Sequence, residues 1–178
     1  MKDVTVSARY ANALYDEAMA QGVTATVVDD LDQLGRLLET NKEFAIFVET
    51  AALTVDEKLS VVTKLAKTGI HRLTEGLLVV MTRNQRLSLL SSVIDAVHKL
   101  ELDAKGEVEV RVDYAAPVTE DIKAELKAQL AKITNKGVIL KENVDPSLLG
   151  GMRVYVDSTL YDLSIRGKLD ALKSEFAR

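Results

Sequence analysis

Cysteine and tryptophan are both absent from this 178-residue chain, which has only two prolines and two histidines. Without cysteine there is no disulfide framework, no thiol nucleophile and no thiolate metal site. His71 and His98 stand far apart in sequence, so no histidine pair offers itself to a metal. Aromatic residues amount to 4%, poor material for stacking bases or for a flat aromatic cofactor. Apolar runs such as Leu77 to Met81 are far too short to cross a bilayer. Neither charge sign dominates, with 23 Lys and Arg against 27 Asp and Glu and a net charge of -4. Residues 1–106 carry -3 (12 basic, 15 acidic) and residues 107–178 carry -1 (11 basic, 12 acidic), so neither half is a basic platform for nucleic acid. The opening residues, with Lys2 and Asp3 and no apolar stretch, resemble neither a secretory signal nor a transit peptide, which predicts a cytoplasmic protein.

What is present is material for a packed core: 47% hydrophobic and 28% charged residues. The first hundred or so residues have helical periodicity throughout. Val6, Tyr10, Leu14 and Ala18 recur at three-to-four spacing beside Ala11 and Tyr15, with Gly22 as the stop. Val27, Leu31, Leu34 and Leu38 make a second stripe, and a short apolar segment spans Phe44 to Val48. Thr54-Val55-Asp56-Glu57 has the capping-box pattern and opens a helix carrying Leu59, Val62 and Leu65 up to Gly69. Leu77 to Met81 is apolar on every side, which predicts a central helix enclosed by neighbours. A last long helix is predicted from about Ser88 to Ala104, with Val93, Val97 and Leu100 inward.

At Gly106 the period changes. Glu107 to Tyr114 alternates charged and apolar residues, a strand with one buried face. Thr119, followed by Glu120 and Asp121, predicts an N-capped helix whose Ile122, Leu126, Leu130 and Ile133 face inward. Val138 to Val144 is a second strand. In a third, Met152, Val154 and Val156 share one face, and Arg153, Tyr155 and Asp157 the other. A turn at Asp157-Ser158-Thr159 leads to a short return strand, Leu160 to Leu163. Ser164 can cap a final helix whose Ile165, Leu169, Leu172 and Phe176 repeat at helical spacing. The expected fold is therefore α plus α/β. A six-helix bundle over residues 1–105 precedes a small β-α-β-β-α domain over 106–178.

No residue set points to catalysis. Gly150-Gly151 precedes a strand rather than a helix N-terminus, so it is no phosphate cradle; a positive φ or a close backbone neighbour explains it better. Arg166 and Lys168 sit in the first turn of a helix, where the dipole disfavours cations, and Gly167 between them allows close packing; a packing role and a partner contact both remain open. Acidic pairs such as Asp29-Asp30 diverge around a helix and do not converge on a substrate. The β-α-β-β-α outline is shared by small nucleic-acid modules, but no G-x-x-G clamp is present, and Glu107, Glu109 and Asp113 would repel phosphates. No cofactor is expected. A scaffold remains. Ala8, Ala11, Ala13 and Ala18 keep the first helix low around Tyr10, Leu14 and Tyr15, which suits either internal contacts or a groove for a partner helix.

Three segments, in this order, carry a family resemblance: SARYANALYDEA (Ser7 to Ala18), LLVVMTRNQRLSLL (Leu77 to Leu90) and LGGMRVYVDSTLYDLSIRGKLDAL (Leu149 to Leu172). The whole chain resembles the delta subunits of bacterial rotary F-type ATP synthases, homologues of the mitochondrial oligomycin sensitivity-conferring protein. The resemblance implies a non-catalytic stator adaptor in the peripheral stalk, on the cytoplasmic face of the bacterial plasma membrane. It also implies a groove between the first and fifth helices for the N-terminal helix of an alpha subunit, carried here by Tyr10, Ala11, Leu14, Val79 and Val80. The C-terminal half would engage the C-terminal ends of b-type stalk subunits, with Gly150, Gly151, Arg166 and Gly167 as a structural signature. Nucleic acid is not an implied partner.

Overall fold

The computed structural model describes residues 2–50, 52–67, 69–156 and 159–176. They form a mixed fold, helical at first and then built on a four-stranded sheet. The chain divides into two compact units, Met1–Glu101 and Leu102–Arg178.

Among the described residues the first unit contains α1 (Lys2–Gln21), α2 (Thr24–Thr40), α3 (Lys42–Glu49), α4 (Val55–Ala66), α5 (Arg72–Arg83) and a short 3-10 turn at Leu87–Leu89, and it takes in most of α6 (Leu90–Lys105). Local chemistry sets the helix starts. Asn41 caps α3 by accepting from the Phe44 N–H at 3.0 Å. Thr54 and Glu57 complete the reciprocal capping box of α4, and the Thr54 N–H and hydroxyl, both donating to the Glu57 carboxylate, hold that carboxyl below its ordinary range. One core gathers Ala11, Leu14, Leu31, Leu78, Met81, Leu90 and Val97. Each falls on the inward stripe of its own helix, at spacings that repeat the 3.6-residue turn. The α5 segment is not enclosed all round, as its composition suggested. Leu77, Leu78 and Met81 point inward, whereas Val80 is 47% exposed. Five consecutive apolar residues go completely around a helix, and here the neighbours cover one side only.

The second unit takes the last turn of α6 and then β1 (Glu107–Tyr114), α7 (Glu120–Thr134), β2 (Gly137–Val144), a 3-10 turn at Pro146–Leu148, β3 (Met152–Val156), β4 (Thr159–Asp162) and α8 (Ile165–Phe176). The α6 turn groups here because Lys136 reaches Asp103 at 2.6 Å and the Gly137 N–H donates to the Gly106 carbonyl at 2.8 Å. Strand order is β2-β1-β3-β4; β1 and β2 run parallel across the α7 crossover, and the other pairs are antiparallel. The short return strand thus becomes the fourth member of the sheet. The Asp157-Ser158 turn and the Phe176 side chain lie outside the described residues.

Register explains the alternation of β1. Val110, Val112 and Tyr114 share a face with Val138, Leu140 and Val154, and Leu126, Leu130 and Ala131 of α7 pack against it. The opposite face is a lattice of charges. Lys141 pairs with Glu109 at 2.9 Å, and Arg111 stacks over the Tyr155 ring at 3.9 Å while lying 3.7 Å from Asp113. Two expectations need correction. Ile122 and Ile133 are exposed, because the packed stripe of α7 runs through Leu126 and Leu130 and leaves them on its flank. Thr119 has the extended backbone of an N-cap, but its side chain makes no capping bond. Ile165, Leu169 and Leu172 of α8 also stay exposed, since α7 already covers the core face of the sheet.

Candidate functional site

Two places were singled out by sequence, and each lies within one unit. The first is the pair α1 and α5, which pack together. The C-terminal end of α5 is tied to the middle of α1 where Asn84 donates to the Tyr10 hydroxyl at 3.1 Å, and this contact identifies the flank of α5 that borders α1. Gly76, Val80 and Asn84 follow at four-residue spacing, so they share that flank. Gly76 is exposed, and among the described residues no atom beyond its chain neighbours and its own helix backbone lies within 4 Å of the place where a Cβ would stand. On α1 the half-buried Val6 and the exposed Ala13 fall at helical spacing from Tyr10 and share its face.

The five residues named for a groove therefore separate. Tyr10 and Val80 stand at the α1–α5 boundary with surface to offer. Ala11 and Leu14 are 0% and 6% exposed and belong to the core, so they shape the floor from beneath and offer almost no contact area. Val79 is partly buried against the core, and as the neighbour of Val80 it points about 100° away from it. Gly76 and Asn84 escaped the sequence reading. Their signal was present as the four-residue spacing through Val80, but only the Tyr10–Asn84 bond reveals which flank of α5 meets α1.

The second place is the stretch around Gly150-Gly151, where β3, β4 and the start of α8 are clasped by backbone bonds. The Leu163 N–H donates to the Met152 carbonyl and the Ile165 N–H to the Gly150 carbonyl, both at 2.9 Å; the Ala115 N–H reaches the Gly151 carbonyl at 3.2 Å. Gly151 has φ +76°, and a Cβ there would sit against the Leu163 carbonyl and 3.1 Å from the Ser164 Cα. A glycine is therefore required twice, by conformation and by space. Gly150 is less constrained, since its Cβ would meet the Cδ1 and Cγ1 of Ile165, side-chain rather than main-chain atoms.

Asp162 is the hub of the clasp. Its Oδ1 accepts from the Ser164 N–H at 2.9 Å and from the Ser164 hydroxyl at 2.6 Å, while Oδ2 accepts from Arg153 at 2.9 Å. Those Ser164 bonds, with Arg153 adding to them, hold its carboxyl below the usual carboxylate range. Ser164 caps α8 through the Gly167 N–H at 3.0 Å. A Cβ on Gly167 would come within 2.8 Å of the Asp162 carboxylate, which explains the glycine between two cations. Arg166 donates to the Ser147 carbonyl at 3.1 Å, a structural tie. Leu163, Ile165, Leu169 and Leu172, around the clasp and along α8, expose apolar side chains, whereas Met152 and Val154 belong to the sheet core.

The histidines are likewise structural: His71 Nδ1 accepts from the Leu73 N–H at the start of α5, and His98 lies 3.0 Å from Asp32. Among the described residues no group of three His, Cys, Asp or Glu could hold a metal ion, and no helix is long and apolar enough to cross a membrane.

Comparison with known proteins agrees along nearly the whole chain. The profile of the family "ATP synthase delta (OSCP) subunit" matches residues 6–176. The ATP synthase subunit delta of Rhizobium etli (strain CFN 42) is 34% identical over 169 residues, 94% of this chain and 90% of that protein. Subunits delta of Azorhizobium caulinodans and of Bradyrhizobium sp. (strain ORS 278) are 33% and 34% identical, each match covering 94% of this chain and 91% of the relative. In fold, the chain is similar to one in the cryo-EM structure of the Toxoplasma gondii mitochondrial ATP synthase hexamer. That likeness has a TM-score of 0.73 at 24% identity and covers 97% of both chains. On the profile match and these relatives, the chain belongs to the ATP synthase delta (OSCP) subunit family.

Proposed function

We propose that this accessory, non-catalytic subunit is the stator adaptor between the catalytic head and the peripheral stalk of an F-type ATP synthase. Rotation of a central shaft does useful work only if the head is held still, so the subunit contributes affinity and stiffness rather than bond chemistry. Helices α1 to α6 act as one bundle that binds the N-terminal helix of an alpha subunit along α1 and α5. The sheet unit engages the C-terminal ends of b-type stalk helices. The protein is peripheral to the cytoplasmic face of the bacterial plasma membrane and attached only through the complex.

The observation that supports head binding best is the open flank Gly76–Val80–Asn84 beside Tyr10. A glycine inside an exposed helix costs about 0.5–1 kcal/mol relative to alanine, and among the described residues no neighbour crowds the place of its missing side chain. It lets another helix approach closely, and Val80 gives that helix an apolar contact worth about 1.5–3 kcal/mol when fully buried. Stalk binding is supported by the exposed stripe Ile165, Leu169 and Leu172 on α8, continued by Leu163 and Leu149. Leu149 holds its side chain in solvent with φ +63°, a conformation costly for leucine.

Calorimetry with a synthetic peptide copying the alpha-subunit N-terminus tests the first interface. Val80→Asp and Tyr10→Asp should each weaken binding at least about tenfold, or 1.4 kcal/mol, with helicity retained. Unchanged affinity in both variants would remove the groove.

A further inference from the structure

We infer that Asp30, a residue with no surface to offer a partner, is a positioning residue for α5 and thereby sets the affinity of the α1–α5 groove. The affinity part rests on the groove reading above; the placement of α5 does not. Asp30 lies on α2 and is 6% exposed. One of its oxygens, Oδ2, accepts from the His71 backbone N–H at 2.7 Å and from the Thr74 hydroxyl at 2.9 Å. Both donors belong to the start of α5, more than forty residues further along the chain. Burying a carboxylate is costly, and here two donors and the positive end of the α5 dipole offset that cost.

The chemistry gives α5 a fixed roll. Its inward residues Leu77, Leu78 and Met81 are flexible or similar in shape, and such side chains tolerate more than one packing. Its buried Thr82 is satisfied within the helix, because that hydroxyl donates to the Leu78 carbonyl at 2.7 Å. Thr74 is different: its hydroxyl finds its partner on another helix, so only one rotation of α5 satisfies it. A buried polar contact that selects one register among several apolar packings is the best-attested use of such groups. At the other end Asn84 holds Tyr10, and the exposed Gly76 and Val80 lie between the two ties. Turning a helix by one residue rotates its faces by about 100°, enough to turn Val80 away from α1.

Because a single oxygen accepts both bonds, geometry rather than charge should carry the effect. Amide hydrogen exchange and peptide calorimetry on the full chain test this with Asp30→Ala, Asp30→Asn and Thr74→Val. In Asp30→Ala, exchange across the first turn of α5 should quicken at least about tenfold, and affinity for the alpha N-terminal peptide should fall about tenfold. Asp30→Asn keeps an sp² oxygen in place and should stay within about twofold of the unmodified protein on both readouts. Asp30→Asn behaving like Asp30→Ala would overturn the inference, and so would faster exchange spread equally over α2, α5 and α6. If Asp30→Ala does not fold, Thr74→Val removes one donor while keeping side-chain shape. Quickening confined to the start of α5 then supports the inference, and no quickening refutes it. If the unmodified protein fails to bind the peptide, the groove reading falls together with the affinity part, and exchange alone decides whether Asp30 places α5.

Discussion

Substituting Gly151 by alanine tests the clasp of the sheet unit with one methyl group. The residue has φ +76°, where a non-glycine residue costs about 1–2 kcal/mol. The new Cβ would also press on the Leu163 carbonyl and the Ser164 Cα, both main-chain atoms. Those atoms can retreat only by stretching the Leu163–Met152 or Ile165–Gly150 hydrogen bond, each worth about 0.5–1.5 kcal/mol net. The expected loss is therefore about 2–3 kcal/mol. A unit of this size has only about 4–12 kcal/mol of stability at 0.05–0.15 kcal/mol per residue, so the loss is large but survivable.

Native-state hydrogen exchange is the assay, because it reads the two units separately. Amides of β1 and β3 should lose protection corresponding to about 2–3 kcal/mol, while those of α2 and α6 up to Glu101 keep theirs. Gly150→Ala is the internal control. Its Cβ would meet the Cδ1 and Cγ1 of Ile165, side-chain rather than main-chain atoms on an exposed residue that can give way, so the loss should stay below about 1 kcal/mol. Equal losses for the two glycines, or a Gly151→Ala protein within about 0.5 kcal/mol of the unmodified one, would show that backbone crowding does not explain the Gly-Gly pair.

Further outcomes are open to measurement. Gly76→Ala should stabilise the helical unit by about 0.5–1 kcal/mol in urea titration, whereas Gly76→Phe should fold normally and lose the alpha-subunit peptide; tight binding by the Phe variant would show that the notch is not used. The Tyr114 hydroxyl is the only buried side-chain polar atom without a hydrogen-bond partner among the described residues, and Tyr114 is 2% exposed. Tyr114→Phe should therefore be neutral or stabilising by up to about 1 kcal/mol, and a clear loss in thermal unfolding would contradict this. The carboxyl of Asp162 is lowered by Ser164 first and Arg153 second, so the folded state holds the proton less tightly than the unfolded chain. Its contribution is present above the ordinary carboxylate range, near pH 4, and is lost as pH falls through the lowered value. Asp162→Asn should flatten that part of the acid unfolding curve of the sheet unit.

Much of the fold was legible because its signals are local. The Thr54–Glu57 box, the alternation from Glu107 to Tyr114 and the Ser164 cap each depend on residues a few positions apart, and each appears where the spacing placed it. Parallel pairing of β1 with β2 and the addition of β4 as a fourth strand depend on register between distant segments, which periodicity does not encode. Asp30 shows the same limit at the candidate site. In sequence it was half of a diverging acidic pair with no assigned role, yet its neighbour Asp29 accepts from Gln33 at 2.9 Å on the exposed side while Asp30 accepts from the start of α5. Adjacent residues on one helix point in different directions, so identical side chains acquire opposite roles.

The same reasoning explains why spacing alone does not reveal the two proposed contact surfaces. Spacing identifies an apolar stripe but not what lies across from it, and a stripe that packs inside the chain has the same period as one awaiting a partner. Ile165, Leu169 and Leu172 repeat as regularly as Val27, Leu31 and Leu34, but only the latter are enclosed. The deciding quantity is the supply of apolar surface within each unit. The core face of the sheet is filled by Leu126, Leu130 and Ala131 of α7, so α8 has no remaining face of that layer to cover. In the helical unit, Leu77, Leu78 and Met81 fill the core and leave Val80 over. An isolated subunit carries these surplus apolar residues at a cost in solubility that only a partner removes. Aspartate at Val80 or Leu169 should accordingly make the free chain more soluble while weakening a different interface in each case. Loss of head binding without loss of stalk binding in Val80→Asp, and the reverse in Leu169→Asp, is the result that the two-surface reading requires. A variant that lost both partners at once would show that the surfaces are not independent.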